Sequence, residues 1–425
     1  TEKLSIGQIA KKIPMDRLSV SDRKISGFEF STYSAGPKFR NGDTLLAKIT
    51  PCLENGKTAK VDILDDGEVA FGSSEFIVLR ENEYTINDFI YYFAKSPAFR
   101  KRAISCMEGT SGRKRVNETT LKNHTLPIPD KETQRKIVNV LNSLDSKIEL
   151  NNRINAELEA MAKTVYDYWF VQFDFPFDFA QGKPSAEGKP YKSSGGKMVW
   201  REELKREVPE GWEVKKLKEI ADTGSGGTPL SSEKAYYENG NIPWINSGEV
   251  NEPFIVSAKK FITQKGVDNS SAKLFNKGTI LMAMYGATAG KGSIMDIDAT
   301  TNQAVCGIMP KQAYFRAYLK LGLDDLYRYL INLSTGSARD NLSQDKIREL
   351  QFIIPDEPIL KAFDKIADSV MSKILSNMKE NQQLSSLRDW LLPMLMNGQV
   401  KVGEVEEVEE VGGLIAAELR EKYGE

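Results

Sequence analysis

The chain is written twice, and that repetition limits its fold more than any other feature. Asn41-Gly42-Asp43-Thr44-Leu45-Leu46-Ala47 matches Lys277-Gly278-Thr279-Ile280-Leu281-Met282-Ala283 at an offset of 236, and Leu126-Pro127-Ile128-Pro129-Asp130 matches Phe352-Ile353-Ile354-Pro355-Asp356 at an offset of 226. A repeat this long implies two similar domains. The 425 residues, too many for one ordinary core, agree. Each copy runs from its Pro-Asp into a long helical pattern, so the order is domain, helix, domain, helix. Both globular stretches alternate short apolar runs, such as Glu68-Val69-Ala70-Phe71 and Gly307-Ile308-Met309, with Gly and Asn turns. That predicts an α+β chain with two mixed domains of substantial strand content.

The expected boundaries are 1–129 for the first domain, 130–172 for its helix, 209–354 for the second domain and 355–398 for the second helix. Residues 173–208, rich in Pro, Gly, Ser and Lys, read as a linker. Residues 399–425, with Gly403-Glu404-Val405-Glu406-Glu407, read as an acidic solvated tail.

Gly286-Ala-Thr-Ala-Gly290-Lys291-Gly292 and Asn55-Gly56-Lys57-Thr58 raise the question of a phosphate-binding P-loop. That motif needs five positions from its first glycine to the glycine before lysine, then Ser or Thr. Gly286 to Gly290 is one position short, Gly292 replaces the hydroxyl, and Pro51 replaces the first glycine of the other copy. Thr58-Ala59-Lys60-Val61-Asp62-Ile63 and Gly292-Ser293-Ile294-Met295-Asp296-Ile297 alternate with period two, so strands follow where a P-loop requires a helix N-terminus. These are glycine-rich, lysine-bearing turns between strands. They are either plain hairpin turns or surfaces from which Lys57 and Lys291 touch phosphates.

Other chemistry is not evident. His124 stands without a companion in metal-site spacing and reads as structural. Asp130, Glu132 and Lys136 could suggest a nuclease, but Pro-Asp before a helical pattern is better read as an N-cap, and Asp356 repeats it. No Gly-x-Ser-x-Gly or His-Glu-x-x-His appears, and Phe175-Pro176-Phe177 lacks what an amino-methyltransferase motif needs. Three scattered cysteines, Cys52, Cys106 and Cys306, fit a reducing cytosol better than a disulfide framework. No apolar run is long enough to cross a membrane and the first residues carry no secretion signal, so a cytoplasmic protein is expected. Net charge is near −1, yet residues 95–115 set Lys95, Arg100, Lys101, Arg102, Arg113, Lys114 and Arg115 against Glu108 alone. Such a patch is either an exposed helix face or a seat for a phosphate backbone.

The helices carry a heptad seam: Ile137, Leu141, Leu144, Ile148, then Leu158, Ala162, Val165 and Trp169 in the first. The second gives Phe363, Ala367, Val370, Ile374, then Leu384, Arg388, Leu391 and Leu395, with Arg388 the one break. Mid-seam stand Asn151 and Asn155 in one helix and Asn377 and Asn381 in the other, with Ile148 and Ile374 beside them. Buried asparagines weaken a coil but fix its register. Chain order favours two antiparallel helices with a pseudo-two-fold axis, pairing Asn151 with Asn381 and Asn155 with Asn377. About 40 residues at a 1.5 Å rise make a spacer roughly 60 Å long.

Val208-Pro209-Glu210-Gly211-Trp212-Glu213 opens a repeat, Ile242-Pro243-Trp244-Ile245 follows, and Gly286 to Gly292 leads to Thr301-Asn302-Gln303-Ala304. Tyr168-Trp169-Phe170 leads to Pro190-Tyr191-Lys192 and Ser193-Ser194-Gly195-Gly196. With the domain–helix–domain–helix order, these motifs resemble those of the specificity subunit of type I restriction–modification enzymes. The first copy departs from it, starting at Leu4-Ser5-Ile6-Gly7 without the Pro-Glu-Gly-Trp opening. The resemblance implies two target-recognition domains separated by antiparallel coiled-coil helices, each domain reading one half of a gapped target on double-stranded DNA. It implies partners: two modification subunits that hold S-adenosylmethionine, and restriction subunits that translocate and cut. This chain would be non-catalytic and bind no cofactor or metal itself. Candidate DNA contacts are Lys57, Lys291, Thr288, Arg102, Arg113, Lys114 and Arg115. The competing reading is a coiled-coil adaptor that joins two protein-binding domains and never touches DNA.

Overall fold

The repeat read in the sequence returns as a repeat of strand pairing. The computed structural model describes residues 3–110, 112–185, 187–327, 329–330 and 342–403. Thr1–Glu149 with Asn381–Glu425 make one compact unit, and Leu150–Glu380 make a second.

The first unit contains β1 (Ile9–Ile13), β2 (Glu29–Thr32), β3 (Lys38–Phe39), β4 (Thr44–Ala47), β5 (Thr58–Lys60), β6 (Ala70–Gly72) and β7 (Phe76–Leu79). Helices α1 (Asn87–Lys95) and α2 (Pro97–Ser105), the hairpin of β8 (Met107–Glu108) and β9 (Arg115–Val116), and α3 (Glu118–Lys122) follow. One sheet has the order β2-β1-β6-β3 and another β5-β4-β7. Thr44-Leu45-Leu46-Ala47 is buried throughout, with Leu45 in one core beside Phe39 and Phe76, and Leu46 in another beside Ile77 and Phe99. A strand covered on both faces loses the polar alternation of a half-buried one.

Helix α4 (Lys131–Tyr166) runs from the first unit into the second. Its start is fixed by Asp130, whose Oδ1 accepts the Thr133 N–H at 2.9 Å, and that bond holds the carboxyl below its usual range. In the second unit come β10 (Pro176–Asp178), β11 (Lys183–Pro184), β12 (Lys189–Pro190), β13 (Met198–Arg201), β14 (Arg206–Pro209), β15 (Glu213–Lys216), α5 (Leu217–Ile220) and β16 (Ala221–Ser225). Next are β17 (Ile242–Ile245), β18 (Phe254–Ile255), β19 (Phe261–Ile262), α6 (Gln264–Asp268), β20 (Leu274–Phe275), β21 (Ile280–Ala283), β22 (Gly292–Met295), β23 (Ala299–Thr301) and β24 (Val305–Pro310). The last described elements are α7 (Phe315–Asp325), α8 (Gln344–Arg348), β25 (Gln351–Ile354) and α9 (Glu357–Met396), the last running into the first unit.

The sheet β19-β17-β23-β20 repeats β2-β1-β6-β3 strand for strand, including the parallel pair: Ile13 faces Gly72 as Ile245 faces Thr301. Likewise β22-β21-β24 repeats β5-β4-β7, with Thr44 facing Lys60 and Leu79 where Ile280 faces Ile294 and Ile308. The second copy is larger, because β16 adds to the edge of β24 and β18 to that of β22. It also pairs β15 with β25. The structure gives the first unit no counterpart of β15, α5 and β16 among the described residues.

Within each unit a length of α4 lies antiparallel to a length of α9. In the second unit Asn377 Nδ2 donates to Asn155 Oδ1 at 2.8 Å, Asn151 Nδ2 donates to Glu380 Oε2 at 2.8 Å, and Trp169 and Phe170 pack on Phe363. In the first, Ile137, Val138 and Leu141 share a core with Leu392 and Leu395. Arg388, the break in the seam, is answered by a residue outside the expected positions: its Nη1 meets Asp145 Oδ1 at 2.8 Å, and both side chains are buried. Tyr92 Oη donates to Asp145 Oδ2 at 2.7 Å, and burial and that carboxylate push the phenol far above its ordinary value.

Residues 173–208, expected as a linker, are corrected by the structure. Phe173 and Phe175 are 1% exposed, and Phe175 stacks on Tyr191 at 4.7 Å and on Trp212 at 5.1 Å. Asp174 accepts the Ser193 N–H at 2.7 Å and its hydroxyl at 2.6 Å. Gly196 serves this packing, since a Cβ there would lie 2.4 Å from the Tyr191 ring. Pro, Gly, Ser and Lys dominate the composition, but Phe173, Phe175 and Tyr191, packed with Trp212, decide the fold. Of the expected tail, residues 404–425 lie outside the described residues.

Candidate nucleic-acid interface

Both copies present a glycine-bearing loop at the same end of the central strand. Residues 48–57 join β4 to β5, and residues 284–291 join β21 to β22. Strands follow both loops, so neither is a P-loop, and the positive φ of Gly56 (83°) and Gly290 (79°) makes the turn.

In the first unit the loop is tied to the β8–β9 hairpin: Val116 N–H donates to Lys48 O at 2.9 Å and Thr50 N–H to Lys114 O at 3.0 Å. This sets Arg113 and Lys114, both exposed, beside the loop. Neither side chain has a charged partner among the described residues. Arg115, grouped with them in sequence, is different: its Nε and Nη2 engage Glu75 at 2.8–3.0 Å. Its charge is matched within the fold, and the patch is less basic than residues 95–115 alone suggest. Lys57 is likewise anchored, its Nζ donating to Met15 O at 2.9 Å. Arg102 Nη1 reaches Thr125 O at 3.4 Å. Lys95, half-buried, donates to Val20 O at 2.6 Å, and burial lowers it to about 8. Arg100, which its place in the basic run does not set apart, rests on the loop: its Nη1 lies 2.5 Å from where a Cβ on Gly56 would stand.

In the second unit Lys291 is exposed on its loop, while Thr288 Oγ1 donates to Ser247 O at 2.7 Å. Thr288 therefore pins the loop to residues 246–249 and keeps only acceptor capacity. Around it lie amide side chains: Asn302 Nδ2 donates to Asn246 Oδ1 at 3.3 Å, and Thr228 Oγ1 donates to Gln303 Oε1. Asn and Gln carry the paired donor and acceptor that base edges require. Asn302 and Asn246 engage both ends of their amides, Asn302 Oδ1 accepting from Ala304 N–H at 3.1 Å and Asn246 Nδ2 donating to Glu249 Oε1 at 3.4 Å, whereas Gln303 is bonded through its oxygen. Asn302 and Gln303 are visible in sequence only as part of a motif; the fold brings Asn246 and Thr228 to them from distant segments.

Among the described residues no three His, Cys, Asp or Glu side chains are grouped to hold a metal. His124 Nε2 lies 3.4 Å from Cys106 Sγ, a single contact. Burial pushes the Cys306 thiol up to about 12. No helix among the described residues is long and apolar enough to cross a membrane.

The model of the type I restriction modification DNA specificity domain matches residues 24–160 and again 209–386. Among curated proteins, the chain is 30% identical over 407 residues to the type I restriction enzyme HindI specificity subunit of Haemophilus influenzae, covering 85% of this chain and 87% of that one. It is 26% identical over 325 residues to the MjaIX specificity subunit of Methanocaldococcus jannaschii, covering 75% and 70%. Among solved structures, the S subunit of a type I restriction-modification system from M. genitalium aligns over 90% of both chains at 17% identity, with a TM-score of 0.48.

Proposed function

Because the chain belongs to the type I restriction-modification DNA specificity family, we propose that it reads a two-part, asymmetric target on double-stranded DNA, one half through each copy. The observation that carries this reading is the doubled sheet pair with a loop at the same end of each central strand. The two loops bear different side chains: cations flank one, and Asn246, Asn302 and Gln303 surround the other. Phosphate contacts would position each unit, and amide and hydroxyl groups would read base edges. The α4 and α9 helices would set the gap between half-sites. In this reading the chain is a non-catalytic scaffold for two modification subunits, which hold S-adenosylmethionine, and for restriction subunits.

Co-expression with its modification subunit, followed by genome-wide mapping of methylated adenine, tests this. One gapped, asymmetric motif is expected. A stable complex that methylates nothing would favour an adaptor that joins proteins only.

The cations give a separate prediction. Arg113→Ala with Lys114→Ala should lower the slope of log affinity against log salt by about two, near 0.9 for each phosphate no longer neutralised. Arg115→Ala should change it little, because Glu75 already matches that charge. An unchanged slope in the double variant would remove the hairpin from the interface.

A further inference from the structure

The repeat sets a cavity in the second unit at the place that the first unit fills with a buried ion pair. At the offset of 226, Asp145 of α4 and Arg388 of α9 correspond to Met371 of α9 and Ala162 of α4. Strand register carries Tyr92 across as well. Thr44 faces Leu79 where Ile280 faces Ile308, an offset of 229 on that side, and 229 brings Tyr92 of α1 to Leu321 of α7. Glycine packing agrees, since Gly42 abuts Asn87 as Gly278 abuts Arg316. The Tyr92–Asp145–Arg388 cluster of the first unit is thus Leu321, Met371 and Ala162 in the second.

An arginine has become an alanine there, and both of its polar neighbours have become apolar. A cavity of about 260 Å³ opens between α4, α7 and α9, and Ala162, Leu321 and Met371 all line it. Phe254, Ile294 and Ile374, buried, complete its apolar wall. Its charged groups do not balance. Lys320 pairs with Asp324, and Lys163 with Asp167 and Asp325, whereas Glu159 makes no ion pair among the described residues. Partial loss of solvent raises the Glu159 carboxyl, Lys320 draws it back, and Glu252 and Asp324 push it up again. Space that an arginine fills in one copy, with apolar walls and one unmatched carboxylate at its mouth, fits a cation on an apolar stem. At about 260 Å³ it lies below the roughly 300–1,000 Å³ of sites for drug-sized ligands, so the guest is small.

We propose that this cavity binds an ammonium or guanidinium group carried on a short apolar stem, with Glu159 receiving the charge. A free amine and a side chain of a partner protein present the same chemistry.

The test uses the 425-residue chain, with benzylammonium as the probe and benzyl alcohol as its neutral counterpart. It follows the Met371 methyl resonance, identified by its loss in Met371→Leu. A saturable shift is expected, with a Kd of about 1 mM, the scale for so small a ligand. The alcohol should bind about fivefold more weakly, the upper end for an ion pair at a partly open site. Glu159→Gln, at an exposed position that folding tolerates, should remove that preference, and Ala162→Leu, which fills the space, should abolish binding of both. A methyl that does not respond, or that responds equally to the alcohol, overturns the proposal. Binding of the probe holds whether or not the chain reads DNA as proposed above. Repeating the titration with the modification subunit bound, an arm that rests on that reading, separates the two sources. A cavity closed to the probe assigns it to a side chain of that subunit, and one still open assigns it to a free amine.

Discussion

Arg388→Ala is expected to destabilise the first unit by about 3–5 kcal/mol, the range for breaking a buried ion pair. Arg388 is 7% exposed and Asp145 3%, so removal of the guanidinium leaves a carboxylate in the core that keeps the Tyr92 hydroxyl as a hydrogen-bond donor. Most of the loss comes from that stranded charge and not from the bond itself. The double variant Asp145→Leu with Arg388→Met should therefore recover most of it. Amide exchange in β4, followed against urea, reads the first unit alone, and β21 should be unchanged in the same samples. A loss below about 1 kcal/mol would mean that the pair is solvated in solution.

Trp212→Ala is expected to cost the second unit about 3–5 kcal/mol, as for other fully buried aromatics. Trp212 is 1% exposed and contacts Phe170, Phe173 and Phe175, with ring centroids 5.1–6.1 Å apart. It joins the end of the first helix, the aromatic segment that follows and the sheet into one core. At about 2–4 °C per kcal/mol, melting of this unit should fall by roughly 10 °C, and Trp212→Phe should keep most of the difference. Calorimetry that finds both units shifted equally would show that the residue does not act locally.

Much of this architecture could be read from residues alone. Leu45-Leu46-Ala47 and Ile280-Leu281-Met282-Ala283 are apolar runs that each begin shortly after a Gly, and both lie in central strands buried on two faces. Asn155 and Asn377 are legible because polar residues are rare in a seam, and they meet in the structure. Asp145 is not, because it lies one position beyond Leu144 and only three dimensions show that it faces Arg388. The same limit applies at the candidate interface. Charge is additive along a sequence, but the pairing of Arg115 with Glu75 depends on a sheet that brings residues 40 positions apart together. Asn246, Asn302 and Thr228 converge for the same reason: strand register places them, and no local pattern records it.

The folded stretch 173–208 has a consequence for how such chains could exchange specificity by recombination. A crossover at residue 208 would leave Phe175 and Tyr191 with one parent and give Trp212 to the other, breaking the stacked triad. A crossover before Phe173 would carry the triad whole. Viable hybrids should therefore inherit the aromatic segment with the half that follows it, and the seam where ancestry changes should fall inside the first long helix or at its end.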